Sequence, residues 1–136
     1  MKKIFAVITI CLLIVSCGGD VPKSDVKQWK DYDFHVESRP PIVEVGMNEL
    51  LFLGNYKKRG RADSLIVYYR MGEDGKWVQA MQDGLTGVYR RAMMVKDPTS
   101  DVLHVHVREK GEEIKDKGEI FFTFSMNFAK NSPPEN

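Results

Sequence analysis

The segment DVLHVHVR, residues 101–108, holds two of the chain's three histidines. On a β-strand, residues two apart share one face, with side chains roughly 7 Å apart. His104 and His106 therefore project together. Leu103, Val105 and Val107 form the better apolar set, so the histidines are expected on the outer face. Two imidazoles at that spacing can converge on one metal ion, and copper or zinc are the ions that suit them. Two ligands do not complete a site, because zinc takes three or four. The sulfurs that could complete it for copper(I) are Met71, Met81, Met93 and Met94. Adjacent positions on a strand point oppositely, so Met93 or Met94 can join the histidines and the other must fill the core. The short KDPTSD connection leads us to expect that strand 88–95 pairs with 101–108. His35, flanked by acids, is the remaining candidate third ligand. Two readings stand: a copper or zinc site on His104 and His106, or a solvated sheet face that carries imidazoles and binds no cofactor.

Catalytic groupings are harder to find. Nucleophilic chemistry needs a nucleophile beside a base, and acid–base chemistry needs paired groups in a cleft. Ser64, Ser100 and Ser125 lie in no GxSxG-like elbow, no glycine loop precedes a helix to cradle phosphate, and the carboxylates scatter over turns. The sequence reads as a non-enzyme. The densest basic run, Lys57-Lys58-Arg59-Gly60-Arg61, suits either a solvated turn or contact with anionic headgroups or peptidoglycan, at about 1 kcal/mol per cation near an anionic membrane. Trp77, Tyr68, Tyr69 and Tyr89 fit the strand preference for aromatics and are expected to pack core and sheet.

The elements that position these residues follow a period of two. In DYDFHVE, Tyr32, Phe34 and Val36 alternate with polar residues until Pro40-Pro41 breaks the run. IVEV at 42–45 suggests a short strand, and Gly46 separates it from a second over 48–54. SLIVYYR, WVQAM, VYRRAMMV and DVLHVHVRE follow, divided by turn sequences such as Asp74-Gly75. In EIFFTFSMNF, Ile120, Phe122, Phe124, Met126 and Phe128 share one face. EKGEEIKDKGE is weakly helical, and its glycines limit it to a turn or a long hairpin. Seven or eight short strands at such spacing predict an all-β fold, an immunoglobulin-like antiparallel β-sandwich of about 100 residues in one domain. A small barrel is the alternative.

The amino terminus, MKKIFAVITICLLIVSCGGD, has Lys2 and Lys3 before an apolar run at 4–15. That run is too short to span a bilayer, which takes roughly 20 residues, and it suits a signal sequence. Its end, Ile14-Val15-Ser16-Cys17, resembles the bacterial lipobox. The resemblance implies a signal peptide over 1–16, cleavage after Ser16, and lipidation of Cys17 by diacylglycerol and a further acyl chain such as palmitate. Gly18 stands where an Asp would imply inner-membrane retention, so outer-membrane sorting is implied, facing the periplasm. Residues 17–30 are then expected as lipidated cysteine and tether, 31–129 as the domain, and 130–136 as an irregular tail. With Cys11 removed and Cys17 acylated, the domain has no disulfide and no thiolate ligand. Loss of Lys2 and Lys3 from 20 basic side chains leaves 18 against 19 acidic ones. That balance gives no footprint for nucleic acid.

Over about 40–113, three segments together resemble the YtkA-like and FixH-like periplasmic domains. These are Val43-Glu44-Val45-Gly46-Met47-Asn48, Gly87-Val88-Tyr89, and the strand DVLHVHVREKGEE. The resemblance implies an immunoglobulin-like sandwich. Those domains carry a Met/His segment before the Gly-x-Tyr strand, where this chain has Met81-Gln82 and no histidine. The reading is a lipid-anchored sandwich that serves as a non-catalytic binding or accessory module for an envelope protein. Its contact surface would be the His104/His106 face or an exposed strand edge. Copper or zinc handling is the first alternative, and an envelope enzyme is the second.

Overall fold

The computed structural model describes residues 22–57, 65–84, 86–110 and 118–128. Nine strands form: β1 (Lys27–Trp29), β2 (Tyr32–Arg39), β3 (Gly46–Tyr56), β4 (Leu65–Met71), β5 (Val78–Gln79), β6 (Met81–Gln82), β7 (Val88–Val95), β8 (Val102–Glu109) and β9 (Glu119–Ser125). They make two antiparallel sheets, in the orders β1-β2-β3-β7-β6 and β5-β4-β8-β9. Setting β1 aside, this is the immunoglobulin arrangement, ABED against C′CFG. Among the described residues no helix is long and apolar enough to cross a membrane.

The alternation read from the sequence places the core. Phe34, Val36, Leu50 and Phe52 of the five-stranded sheet face Val67, Tyr69, Val105 and Phe124 of the other, and all are buried. Phe34 stacks on Phe52 at 4.7 Å between ring centroids, and Phe52 meets Phe124 edge-on at 6.0 Å across the two sheets. Two tyrosines stitch the layers. The Tyr69 hydroxyl donates to the carbonyls of Tyr89 and Leu50, at 2.6 and 3.2 Å. The Leu65 N–H donates to the Tyr89 hydroxyl at 3.2 Å. A buried hydroxyl needs such partners, or burial costs about 1–3 kcal/mol.

Four expectations change. The run WVQAM is not one strand. It switches sheets at buried Ala80, whose N–H reaches the Val67 carbonyl at 2.8 Å, so β5 and β6 lie in different sheets. Residues 42–45 are not a strand. Asn48 holds them as a loop: its Oδ1 accepts from the Glu44 N–H at 2.9 Å, and its Nδ2 donates to the carbonyls of Glu44 and Gly46. Gly46, at φ 113°, makes the turn that brings the loop back. Part of the expected tether, residues 22–30, joins the sheet. Lys27–Trp29 pairs with β2, Lys23 bridges to Glu37, and Trp29 stacks on Tyr32. Finally, β7 pairs with β3 and β6, not with β8. A tight turn can carry a chain from one sheet to the other, and the 96–101 turn does so here. Most of the basic run at 57–61, the glycine-bearing segment 111–117, residues 1–21 and the tail 130–136 lie outside the described residues.

Candidate functional site: the outer face of the four-stranded sheet

The two histidines stand where period-two reasoning put them. In β8, Leu103, Val105 and Val107 are fully buried, while His104 and His106 lie on the outer face. His106 pairs across the sheet with Tyr68 on β4 and Phe121 on β9. His104 pairs with Arg70 and Thr123. These neighbours give the face its character.

Around His106 the surface is aromatic. Its imidazole lies flat against Phe121, with centroids 4.2 Å apart and planes 3° from parallel. Trp77, in the turn before β5, meets His106 edge-on at 6.0 Å and Phe121 edge-on at 5.9 Å. Tyr68 stacks on the imidazole at 5.9 Å. Offset and edge-to-face geometries are the favourable ones for such rings, at about 0.5–1.5 kcal/mol per pair beyond area burial. The guanidinium of Arg70 lies 4.8 Å from the Trp77 ring, a cation–π contact. Phe121 is 59% exposed and Trp77 39% exposed. These contacts leave much of Phe121 and part of Trp77 open to solvent, and a clustered apolar set of this kind is a surface suited to contact.

The ionisable groups sit at the margins of the cluster. His106 Nε2 lies 2.8 Å from Glu119 Oε2. An ionised carboxylate can only accept, so this nitrogen carries the hydrogen and Nδ1 is left as the acceptor in the neutral ring. The pKa of His104 is lowered, first by partial burial and then by the Arg70 guanidinium, with Glu73 acting in the opposite direction. The imidazole of His104 therefore favours the neutral form.

The candidate ligands from the sequence do not gather here. Met93 points into the core, and Met94 lies on the outer face of the five-stranded sheet, because β7 belongs to that sheet. His35 is also on that sheet, with Nε2 3.6 Å from a Glu37 carboxylate oxygen. Among the described residues, no group of three or more His, Cys, Asp or Glu side chains is placed to hold a metal ion. His104 and His106 remain together as two imidazoles sharing a face, and neither Met93 nor Met94 joins them.

Of the aromatics expected to pack core and sheet, Tyr69 and Tyr89 are core, while Tyr68 and Trp77 pack on the outer sheet face around His106. Part of this was legible. Phe121 has the parity of Thr123 and Ser125, and Tyr68 that of Arg70, so both had to face outward. The convergence of Trp77 on them needed the β4–β5 turn, which no local pattern specifies. No protein-family model matches the chain, and no significant match appears among curated proteins or solved structures.

Proposed function

We propose that this protein is a lipid-anchored envelope protein whose β-sandwich acts as a non-catalytic binding module. Its contact surface is the Trp77–His106–Phe121 ledge, and its partner is an envelope protein. The observation that carries the reading is the exposed aromatic cluster with Arg70 and Glu119 at its margins. Interface anchors are enriched in Trp, Tyr, Phe and Arg, and a few such residues dominate binding energy. The lipobox-like Ile14-Val15-Ser16-Cys17 supports the anchor. Tethering raises the effective concentration at the membrane, so modest contacts suffice.

The test is site-specific photo-crosslinking in cells, using the full-length protein with a photoreactive residue at position 77 or 121. Control probes at positions 35 and 90 lie on the other sheet's outer face. The reading expects one discrete adduct from 77 and 121, none from 35 and 90, and loss of the 121 adduct when Trp77→Ala is added. Equal adducts from both faces would remove the ledge from the account. Incorporation of labelled palmitate, abolished by Cys17→Ser, tests the anchor separately.

A further inference from the structure

The end of the sandwich where the chain enters carries a group of exposed apolar side chains. Lys23 bridges to Glu37 and β1 runs antiparallel to β2, so Pro22 lies beside the Arg39–Pro41 end of β2. The same end carries the 42–45 loop and the Met47/Met94 pair on adjacent strands. Ile42 is 69% exposed, Val45 73% and Met47 59%, and Met94 is also exposed. Beside them opens an apolar cavity of about 290 Å³, lined mainly by Pro22, Ile42, Val43, Pro98, Met126 and Phe128. Asn48 explains the exposure. Its three hydrogen bonds fix the 42–45 loop so that buried Val43 points inward and Ile42 and Val45 point away.

We infer that this end docks on the lipid bilayer, with Ile42, Val45 and Met47 seated at the headgroup–acyl boundary. The inference rests on the proposed lipidation of Cys17. Four residues lie between Cys17 and Pro22, and five extended steps of at most about 3.6 Å put the Pro22 Cα within about 18 Å of the Cys17 Cα. Of the two ends of the sandwich, the one facing the bilayer is thus the one bearing the apolar loop. Apolar side chains at such an interface gain by burial in the boundary region. The exposed charges at this end are Lys23, Arg39 and Lys96 against Glu44, Glu73, Asp74 and Asp97, with half-buried Asp101 among them, so they offer no cationic patch for anionic headgroups. The contact is therefore apolar and needs no anionic lipid. Lys57, the first residue of the basic run, directly follows the Tyr56 end of β3, at the opposite end of the sandwich. Because the strands run from end to end, the sheets stand upright on the membrane and the aromatic ledge faces sideways.

The experiment uses the full-length protein, purified with its native amino terminus and reconstituted into phosphatidylethanolamine/phosphatidylcholine vesicles. Processing removes Cys11 and acylates Cys17, so Ile42→Cys, Val45→Cys or Thr86→Cys each supplies one free thiol for an environment-sensitive fluorophore. Thr86 is at the far end. Blue-shifted emission at 42 and 45, quenched by brominated lipid and insensitive to salt, with a water-like probe at 86, is expected. Water-like emission at all three sites, in protein whose Cys17 is acylated by mass, overturns the docking and leaves the anchor standing. A blue shift without lipid quenching also overturns it, in favour of cover by a protein partner or a second copy. Absence of acylation in protein from its native host overturns both.

Discussion

Around their histidines the two outer faces differ, although both arise from the same alternating pattern. On the five-stranded sheet, charges pair with charges: Arg90 lies 3.6 Å from Glu49 and 3.7 Å from Asp83, Lys57 lies 3.7 Å from Asp33, and His35 lies near Glu37. On the four-stranded sheet, His106 sits among Tyr68, Trp77 and Phe121. His35 and His106 are the same residue type at the same parity. One belongs to a solvated, charge-balanced surface and the other to an aromatic ledge. An imidazole on a strand has no function of its own; the cross-strand neighbours decide what it can contact.

The widest separation between the faces should appear in binding. Trp77→Ala combined with Phe121→Ser should weaken the partner complex by about a hundredfold or more, as loss of two central anchors does. Arg90→Ala and His35→Ala should leave it within about twofold, as rim or remote charges do. A titration of purified partner against each variant would decide, and equal losses on both faces would erase the distinction. Stability should separate inside from outside at adjacent residues. Tyr69→Phe removes a buried hydroxyl that bonds to the Tyr89 and Leu50 carbonyls across the core and should cost about 1–3 kcal/mol in urea unfolding. Tyr68→Phe, on the ledge, should stay within about 0.5 kcal/mol.

The ion pairs sharpen the comparison further. Glu119→Gln disturbs a 2.8 Å contact and Glu37→Gln a 3.6 Å one. Both are partly solvated, so each change should lie below about 1 kcal/mol, with Glu119 the larger. The smallest effect is in pH. His35 and His104 both have pKa values lowered from 6.5, each chiefly by burial. At His35 the nearby Glu37 carboxylate opposes the burial and Lys23 adds to it. At His104 the Arg70 guanidinium adds to the burial and Glu73 opposes it. With a folded pKa below the unfolded one, the unfolded state takes up protons first. The stability held above pH 6.5 is then lost as pH falls toward the folded values. Unfolding midpoints from pH 7.5 down to 5 should decline, and His104→Gln should flatten part of that decline. An unchanged slope would remove His104 from the account.

The core and the faces of β2, β4, β8 and β9 were readable because alternation is local: a residue's parity fixes its side of the sheet. The direction of His104 and His106, the burial of Leu103, Val105 and Val107, and the shared face of Phe124, Met126 and Phe128 all follow from it. Met93 as core filler follows too, once its strand is placed. The expected neighbour of β8 was wrong because chain proximity suggested a hairpin, whereas β7 and β8 lie in opposite sheets.

By itself, then, the sequence determined an all-β sandwich, the inner and outer positions of its long strands, and a pair of histidines side by side on an outer face. Short-range sterics and burial suffice for those. Only the tertiary structure decided that β7 lies across the core, that WVQAM splits between the sheets at Ala80, and that Asn48 turns 42–45 into an exposed apolar loop. It also brought Trp77, Phe121 and Tyr68 around His106. Those outcomes depend on which strands meet, and strand pairing is set by the packing of the whole core, to which every strand contributes.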